Sequence, residues 1–323
     1  MSTELGQTIL CESKLKKLFD LVEMLKCFQV VWLDEYLQRK DRFSKEIEGF
    51  ICTKAGLIDK QFLDHLPNLK VVSICSAGFE GLDVSMLHRL NIRVSNVPHL
   101  VSESTADLTF ALILATARQL RKNIQSSQHP DLEVRMSPQF TSLGTDVTGA
   151  TLGILGMGSI GYCVAMRATG FRMNTFYYNR NRRPKLDEDC VNAKYCRSLD
   201  ELLKLSQFLV ISVPLTQETE NMIGHRELAL MKPSSILINV SRGCVVDTSA
   251  LVEALNDGKI SAAGLDVTEP EPLPYDHPLV HMDNVILSGH SGAATVEVRK
   301  QIFKQSLENL KAGFTSGPMN NEL

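Results

Sequence analysis

The stretch TLGILGMGSIGYCVAMRATG, residues 151–170, decides the fold. A short β-type run, TLGIL, leads straight into G-x-G-x-x-G, and a helical stretch follows it. In that setting Gly156 allows a tight turn, Gly158 lets the backbone approach a pyrophosphate, and Gly161 permits close helix–strand packing. The helix N-terminus adds N–H donors and the positive end of a dipole. A bound dinucleotide is the reading, against the plainer one of a glycine turn.

Outward from this point, short apolar runs alternate with helical patterns in both directions. After it come TFYY (175–178), FLVISV (208–213), SILINV (235–240), AAGLDV (262–267) and NVILS (284–288). Before it come QTILC (7–11), FQVVWL (28–33), GFICT (49–53), KVVSIC (70–75) and IRVSN (92–96). Continuous apolar strands, rather than alternating ones, predict parallel sheets covered by helices on both faces. Between the series, SESTADLTFALILATARQLR (102–121) is apolar nearly all round and predicts a buried helix at a domain or subunit interface. Segment 123–150 has little periodicity and predicts a loop or arm. ATVEVRKQIFKQSLENLKAGF (294–314) predicts a last amphipathic helix, with the chain returning to the first domain.

Composition bounds the function. Apolar residues are 44%, charged residues 22% and the net charge is −3 in 323 residues. This is ordinary for a globular chain of two domains and speaks against a nucleic-acid surface or a polybasic membrane anchor. No run of about 18 apolar residues occurs, and neither end carries an evident targeting pattern. The eight cysteines are scattered without a C-x-x-C pair, which predicts reduced, mostly buried thiols in a cytoplasmic protein. His65, His88, His129, His225, His277 and His281 show no paired metal spacing, so no metal site is expected. His99, beside the expected hinge, is set aside with them.

In TFYYNRNRRP (175–184), Asn179 stands about 20 residues beyond the glycine loop, where an acid would meet the ribose 2′-hydroxyl of NAD. Asn179 cannot repel a phosphate, and Arg180, Arg182 and Arg183 follow it. Guanidinium–phosphate contacts are charge-assisted and often bidentate. A missing acid and added arginines favour NADP(H), with NAD(H) possible; a solvated basic loop is the plainer alternative.

Three further fragments each follow a strand of the second series: NVSRGCVVD (239–247), GLDVTEPEPLPYDHPL (264–279) and VILSGHSGAAT (286–296). They offer Arg242, then Glu271 or Glu269, then His290. Reduction of a 2-keto acid needs a cation for the carboxylate, a hydride, and a proton for the new alkoxide. Taken singly, these residues are also ordinary surface or loop groups. Cys244 is read as packing rather than as a nucleophile, and the EPEP run as shaping one carboxylate rather than holding a metal.

Together with PLTQETENMIG and ELALMKPSSILINVSRGCVVDTSALVEAL, these motifs resemble the D-2-hydroxyacid dehydrogenases, most of all their glyoxylate/hydroxypyruvate reductase branch, over about 140 residues in the expected order. The resemblance implies an α/β fold of two Rossmann-like or flavodoxin-like domains with parallel sheets and a cleft between them. Residues 1–98 plus 291–323 would form the substrate (catalytic) domain and 99–290 the dinucleotide-binding domain. It places catalysis on Arg242, Glu271 and His290, and substrate contacts on Ala77 and Gly78 with Arg242 and His290. It places cofactor contacts on Ser159 and Ile160 beside Gly156, Gly158 and Gly161, on Asn179, Arg180, Asn181 and Arg182, and on Pro214, Val240, Asp266 and Gly292. Thr105 is a weaker member of that set. The implied enzyme reduces glyoxylate, hydroxypyruvate or 2-ketogluconate with NADPH and forms a homodimer. No nucleic-acid or membrane partner is expected.

The chain departs from that pattern in two places. Gly289 stands before His290 where proline is usual, and the arm SSQHPDLEVRMSPQFTSLG (126–144) lacks a tryptophan; the only one is Trp32. Nothing after residue 323 would serve as the regulatory domain of a long phosphoglycerate dehydrogenase. An NADH-linked dehydrogenase is one alternative. A nucleotide-sensing corepressor is another, disfavoured by NRNRR and by the lack of long low-complexity tails.

Overall fold

The structure, a computed structural model, describes residues 6–17, 24–136, 143–315 and 317–323. It divides into two units, Met1–Val101 with Thr295–Leu323, and Ser102–Ala294. Breaks were expected after residues 98 and 290, and both lie slightly later. The 3-10 turn His99–Val101 packs on the C-terminal helix of the first unit. Ser291 and Gly292 are hydrogen-bonded to Asp266 of the second unit.

The first unit is a parallel sheet of β1 (Thr8–Cys11), β2 (Gln29–Trp32), β3 (Ile47–Cys52), β4 (Val71–Ile74) and β5 (Arg93–Ser95), in the order β2-β1-β3-β4-β5. Every residue of β1 and β4 is buried, as expected for strands covered on both faces. The C-terminal helix Val296–Phe314 lies on β3, β4 and β5, and the hydroxyl of Thr295 caps it by accepting the Val298 N–H. Arg93 pairs with Glu322 at 2.6 Å and donates to the Gly317 carbonyl at 2.9 Å, which ties the chain end to this sheet.

The second unit holds β6 (Thr151–Leu155), β7 (Asn174–Tyr178), β8 (Ala193–Tyr195), β9 (Phe208–Ile211), β10 (Ile236–Asn239), β11 (Ala262–Leu265) and β12 (Val285–Leu287). All are parallel, in the order β12-β11-β10-β9-β6-β7-β8. The order reverses between β6 and β9, and the carboxyl ends there form the usual ligand crevice of such sheets. β8 is absent from the expected strands. It is a short edge strand with Lys194 at its centre, so it carries almost no apolar signal.

Helix α1 (Ser102–Ala117) packs on β10, β11, β12 and on α2 (Ser159–Gly170). The helical stretch His99–Ala117 is long and apolar enough by length and composition to cross a membrane, but most of it is buried inside the protein. α1 stops short of the expected residue 121 because Gln119 turns left-handed, at φ 48°. The segment read as a loop or arm contains helices Leu120–Ser127 and Leu132–Met136; its residues 137–142 lie outside the described residues. Apolar pairs four apart, Leu120–Ile124 and Leu132–Met136, mark these helices, and all four side chains are exposed.

Leu310 is fully buried in the C-terminal helix, against Gly49 of β3. Replacing it with alanine should destabilise the first unit by about 2–5 kcal/mol. Trp32, the sole tryptophan, lies in β2 of that unit, so urea unfolding followed by its fluorescence reads the loss as a lower midpoint.

Candidate active site

The glycine loop closes β6 and opens α2. Gly156 sits at φ 94°, and a Cβ there would lie 2.6 Å from the Val213 side chain; a Cβ on Gly161 would lie 2.4 Å from the Gly156 carbonyl. Both positions exclude a side chain on steric grounds. A Cβ on Gly158 would meet nothing within 4 Å. Open space therefore stands over the one glycine whose backbone would meet a pyrophosphate. The first N–H groups of α2, from Ser159 onward, lack intrahelical acceptors and face the same end. The loop thus fits a dinucleotide. Ser212, at the end of β9, donates to the Gly156 carbonyl at 2.7 Å and braces it across the switch point.

The NRNRR turn at the end of β7 is more committed than its composition suggests. Asn179 turns its side chain inward: its Oδ1 accepts the Met157 N–H at 2.6 Å and its Nδ2 donates to the Met157 carbonyl at 3.3 Å. Arg183 donates to the same carbonyl at 3.1 Å, pairs with Asp187 at 2.7 Å and stacks over the Tyr162 ring. Arg182 makes a two-pronged pair with Glu188 of α3 (Lys185–Cys190), at 2.8 and 2.7 Å. Arg180 and Asn181 are exposed. Of the three arginines expected to await an anion, two already have carboxylate partners.

Around the neighbouring strand ends, β10 leads into Val240, Ser241 and Arg242. Asn239 organises this turn by accepting from the Ser241 N–H and hydroxyl and donating to the Arg242 carbonyl at 2.9 Å. Arg242 donates to the Ser241 carbonyl at 2.7 Å. A Cβ on Gly243 would lie 2.0 Å from the Thr268 carbonyl, so only glycine lets this turn touch the EPEP loop. The Cys244 thiol then donates to Glu269 at 3.1 Å, and Thr248 donates to the Glu269 carbonyl at 2.9 Å. Burial first, and the Glu269 hydrogen bond second, push the Cys244 thiol up to about 11. It stays protonated at neutral pH and acts as a donor.

Beyond β11, Asp266 is 3% exposed yet ionisable, and the loop after β12 satisfies it. Its Oδ1 accepts the Ser288 hydroxyl at 2.7 Å and the Ser291 N–H at 2.6 Å; its Oδ2 accepts the Gly292 N–H at 3.0 Å. Its backbone carbonyl takes the His290 N–H at 2.6 Å. Gly289 and His290 both adopt left-handed backbone, at φ 65° and 57°. A proline at 289 could not reach that φ, so this loop follows a path that the usual residue would forbid. The His290 Nδ1 lies 2.7 Å from the Glu271 carboxylate. A proton on Nδ1 satisfies the carboxylate and leaves Nε2 available for proton transfer. Glu269, the other acid considered, serves Cys244 instead. A Cβ on Gly292 would lie 3.0 Å from the Thr105 hydroxyl and 3.1 Å from Asp266, which brings these three residues together. Pro214 is exposed at the head of the loop after β9, where its carbonyl accepts the Thr219 hydroxyl at 2.6 Å.

In the first unit, Ala77 and Gly78 form the loop after β4. The Ser76 hydroxyl donates to the Gly78 carbonyl and Asn96 to the Ala77 carbonyl, both at 2.7 Å. Among the described residues no cluster of histidine, cysteine or acidic side chains could hold a metal. A cavity of about 370 Å³ opens at the opposite, amino-terminal edge of the second sheet, by Ile236, Ala262 and Asn284, away from the strand ends of that unit that carry Arg242 and Asp266. Sequence reasoning missed Asn239, Ser288, Ser291, Tyr177 and Glu188. Each sits within a few residues of a motif, but its role depends on a contact that sequence does not display.

The comparisons with known proteins follow the same lines. Residues 110–292 match the family described as "D-isomer specific 2-hydroxyacid dehydrogenase, NAD binding domain". A glyoxylate reductase of Thermococcus litoralis is 41% identical over 83% of this chain and 81% of its own. The glyoxylate/hydroxypyruvate reductase B of Pectobacterium atrosepticum is 40% identical over 91% of each chain. Among solved structures, the NADPH-dependent glyoxylate/hydroxypyruvate reductase of Sinorhizobium meliloti, in complex with NADP and malonate, superposes with a TM-score of 0.84 at 29% identity, covering 98% of this chain and 96% of that one. The chain belongs to the D-isomer specific 2-hydroxyacid dehydrogenase family, an oxidoreductase family, and carries its NAD(P)-binding domain.

The Glu188 carboxyl is lowered from 4.5 to about 2, first by the Arg182 hydrogen bonds and then by the Tyr177 hydroxyl, against the effect of burial. A folded value below the unfolded one stabilises the fold fully above pH 4.5, and that stabilisation is lost as pH falls from there toward 2. The difference in melting temperature between the protein and its Glu188→Gln variant should be constant above about pH 5.5 and shrink steadily below 4.5 in a pH series of thermal melts.

Proposed function

We propose that the protein is an NADPH-dependent reductase of small 2-keto acids, with glyoxylate and hydroxypyruvate foremost and 2-ketogluconate a further candidate, yielding D-2-hydroxy acids. The observation that carries the reading is the His290–Glu271 pair at 2.7 Å, on a loop clamped by Asp266 and beside Thr105 and Gly292. The names of the two curated relatives supply the substrate class.

Bound NADPH would supply the hydride for the carbonyl carbon. His290 donates a proton to the carbonyl oxygen, and Glu271, bonded to its Nδ1, holds the ring's orientation. Arg242 offers a planar fork to the substrate carboxylate. Ala77 and Gly78 are proposed as further substrate contacts through their backbone. Gly156, Gly158, Ser159, Ile160 and Gly161 would cradle the pyrophosphate, and Asn179, Arg180, Asn181 and Arg182 would line the adenosine end. Pro214, Val240, Asp266, Gly292 and Thr105 would border the nicotinamide half.

A homodimer belongs to the same reading: Leu120, Ile124, Leu132 and Met136 form an exposed apolar set that a second copy would cover. All eight cysteines are free, which fits a reducing compartment such as the cytoplasm. An NADH-linked enzyme is the second reading, favoured by the internal pairing of Arg182 and Arg183.

Oxidation of NADPH and of NADH, followed by nicotinamide absorbance with each keto acid in turn, should show faster turnover with NADPH. Equal rates, or faster NADH oxidation, would favour the second reading. Replacing His290 with glutamine should lower kcat by about 10²–10⁴-fold while nucleotide binding is retained; near-normal turnover would remove His290 from the chemistry.

A further inference from the structure

The arginine turn contains a buried acid that neither the chemistry nor the glycine loop requires. Glu188 is 1% exposed on α3. It accepts Arg182 Nε at 2.8 Å, Arg182 Nη2 at 2.7 Å and the Tyr177 hydroxyl at 2.7 Å. Tyr177, fully buried in β7, uses the same hydroxyl to accept the backbone N–H of Arg183 at 3.0 Å. One carboxylate therefore holds the turn twice, through the side chain of Arg182 and through the main chain of Arg183.

Arg182 cannot leave this partner for a phosphate without stranding a buried charge, which is strongly unfavourable. Arg183 is similarly engaged, between Asp187, the Met157 carbonyl and the Tyr162 ring. Arg180 differs. It is exposed and carries no hydrogen bond or close ion pair among the described residues; Glu218, on the loop after β9, senses its charge only electrostatically.

We propose that Glu188 is a positioning residue for cofactor choice: it locks Arg182 and, through Tyr177, the backbone of Arg183, so that the turn presents Arg180 to the adenosine 2′-phosphate. The inference rests on the NADPH reading and goes past it by dividing the three arginines. Arg180 is the ligand, and Arg182 and Arg183 are the frame.

The test is calorimetric titration of the full chain with 2′-AMP and with 5′-AMP, beside the kinetics of both reduced cofactors. The protein itself should prefer 2′-AMP. Arg180→Gln should abolish that preference. Glu188→Gln should weaken 2′-AMP by about tenfold, change 5′-AMP by less than about twofold, and raise KM for NADPH with kcat nearly kept. Should Glu188→Gln fail to fold, Tyr177→Phe removes the hydroxyl that joins Glu188 to the Arg183 backbone, keeps the Arg182–Glu188 pair, and should shift 2′-AMP in the same direction. Equal weakening of both nucleotides, or none, would make Glu188 a purely structural group and overturn the inference. A preference that survives Arg180→Gln but is lost in Arg182→Gln would also overturn it. A protein that binds 2′-AMP no better than 5′-AMP would remove the NADPH reading itself, and the inference with it. A preference unchanged by Glu188→Gln would remove the inference alone.

Discussion

The carboxyl edge of the second sheet depends on one buried aspartate. Asp266 sits at the end of a strand enclosed on both faces, where an unpaired carboxylate would be prohibitively unfavourable. The loop after β12 supplies a hydroxyl and two backbone N–H groups to that carboxylate, and a third N–H to the aspartate's own carbonyl. Those bonds require consecutive left-handed residues at Gly289 and His290. Each such non-glycine residue costs of order 1 kcal/mol, and charge-assisted hydrogen bonds are strong enough to hold it. The orientation of the histidine is thus a consequence of how a buried charge is satisfied two strands into the sheet.

The same device recurs on this edge. Glu188 holds the arginine turn, Glu269 accepts from the Cys244 thiol, and Asn239 fastens the turn that bears Arg242. In each case one polar side chain, at the end of a strand or in the segment that follows it, accepts hydrogen bonds from the turn it holds. Parallel strands end together at one edge, so every such loop has neighbours to bond to. Gly243 is the steric counterpart: without a side chain, it lets the Arg242 turn lie directly against Thr268 and Glu269. That contact brings loops far apart in sequence into one surface.

Much of the fold was legible because parallel strands are buried on both faces and read as unbroken apolar runs. β1, β4, β9 and β10 are wholly buried and were visible at once. β8 was not, because an edge strand with a lysine at its centre has little apolar content. The short helices at Leu120–Ser127 and Leu132–Met136 escaped notice because their apolar pairs are exposed and too few to set a period. The glycine loop was readable because its geometry is steric and local. His290 with Glu271 or Glu269 was nameable from residue type and place after a strand, but the choice of Glu271 came only through family resemblance, since the two residues are brought together by tertiary contacts.

The sequence by itself determined which residues could meet a dinucleotide and a keto acid: a glycine loop between strand and helix, an arginine-rich strand end, and an arginine, a glutamate and a histidine each beyond a strand. These are properties of residue type and short-range spacing. Tertiary structure decided how each is used. It assigned Glu271 rather than Glu269 to the histidine, turned Asn179 inward to Met157, and divided three adjacent arginines between carboxylate partners and solvent. The reason is physical: a side chain's availability depends on the buried charges around it, and those arrive from distant parts of the chain.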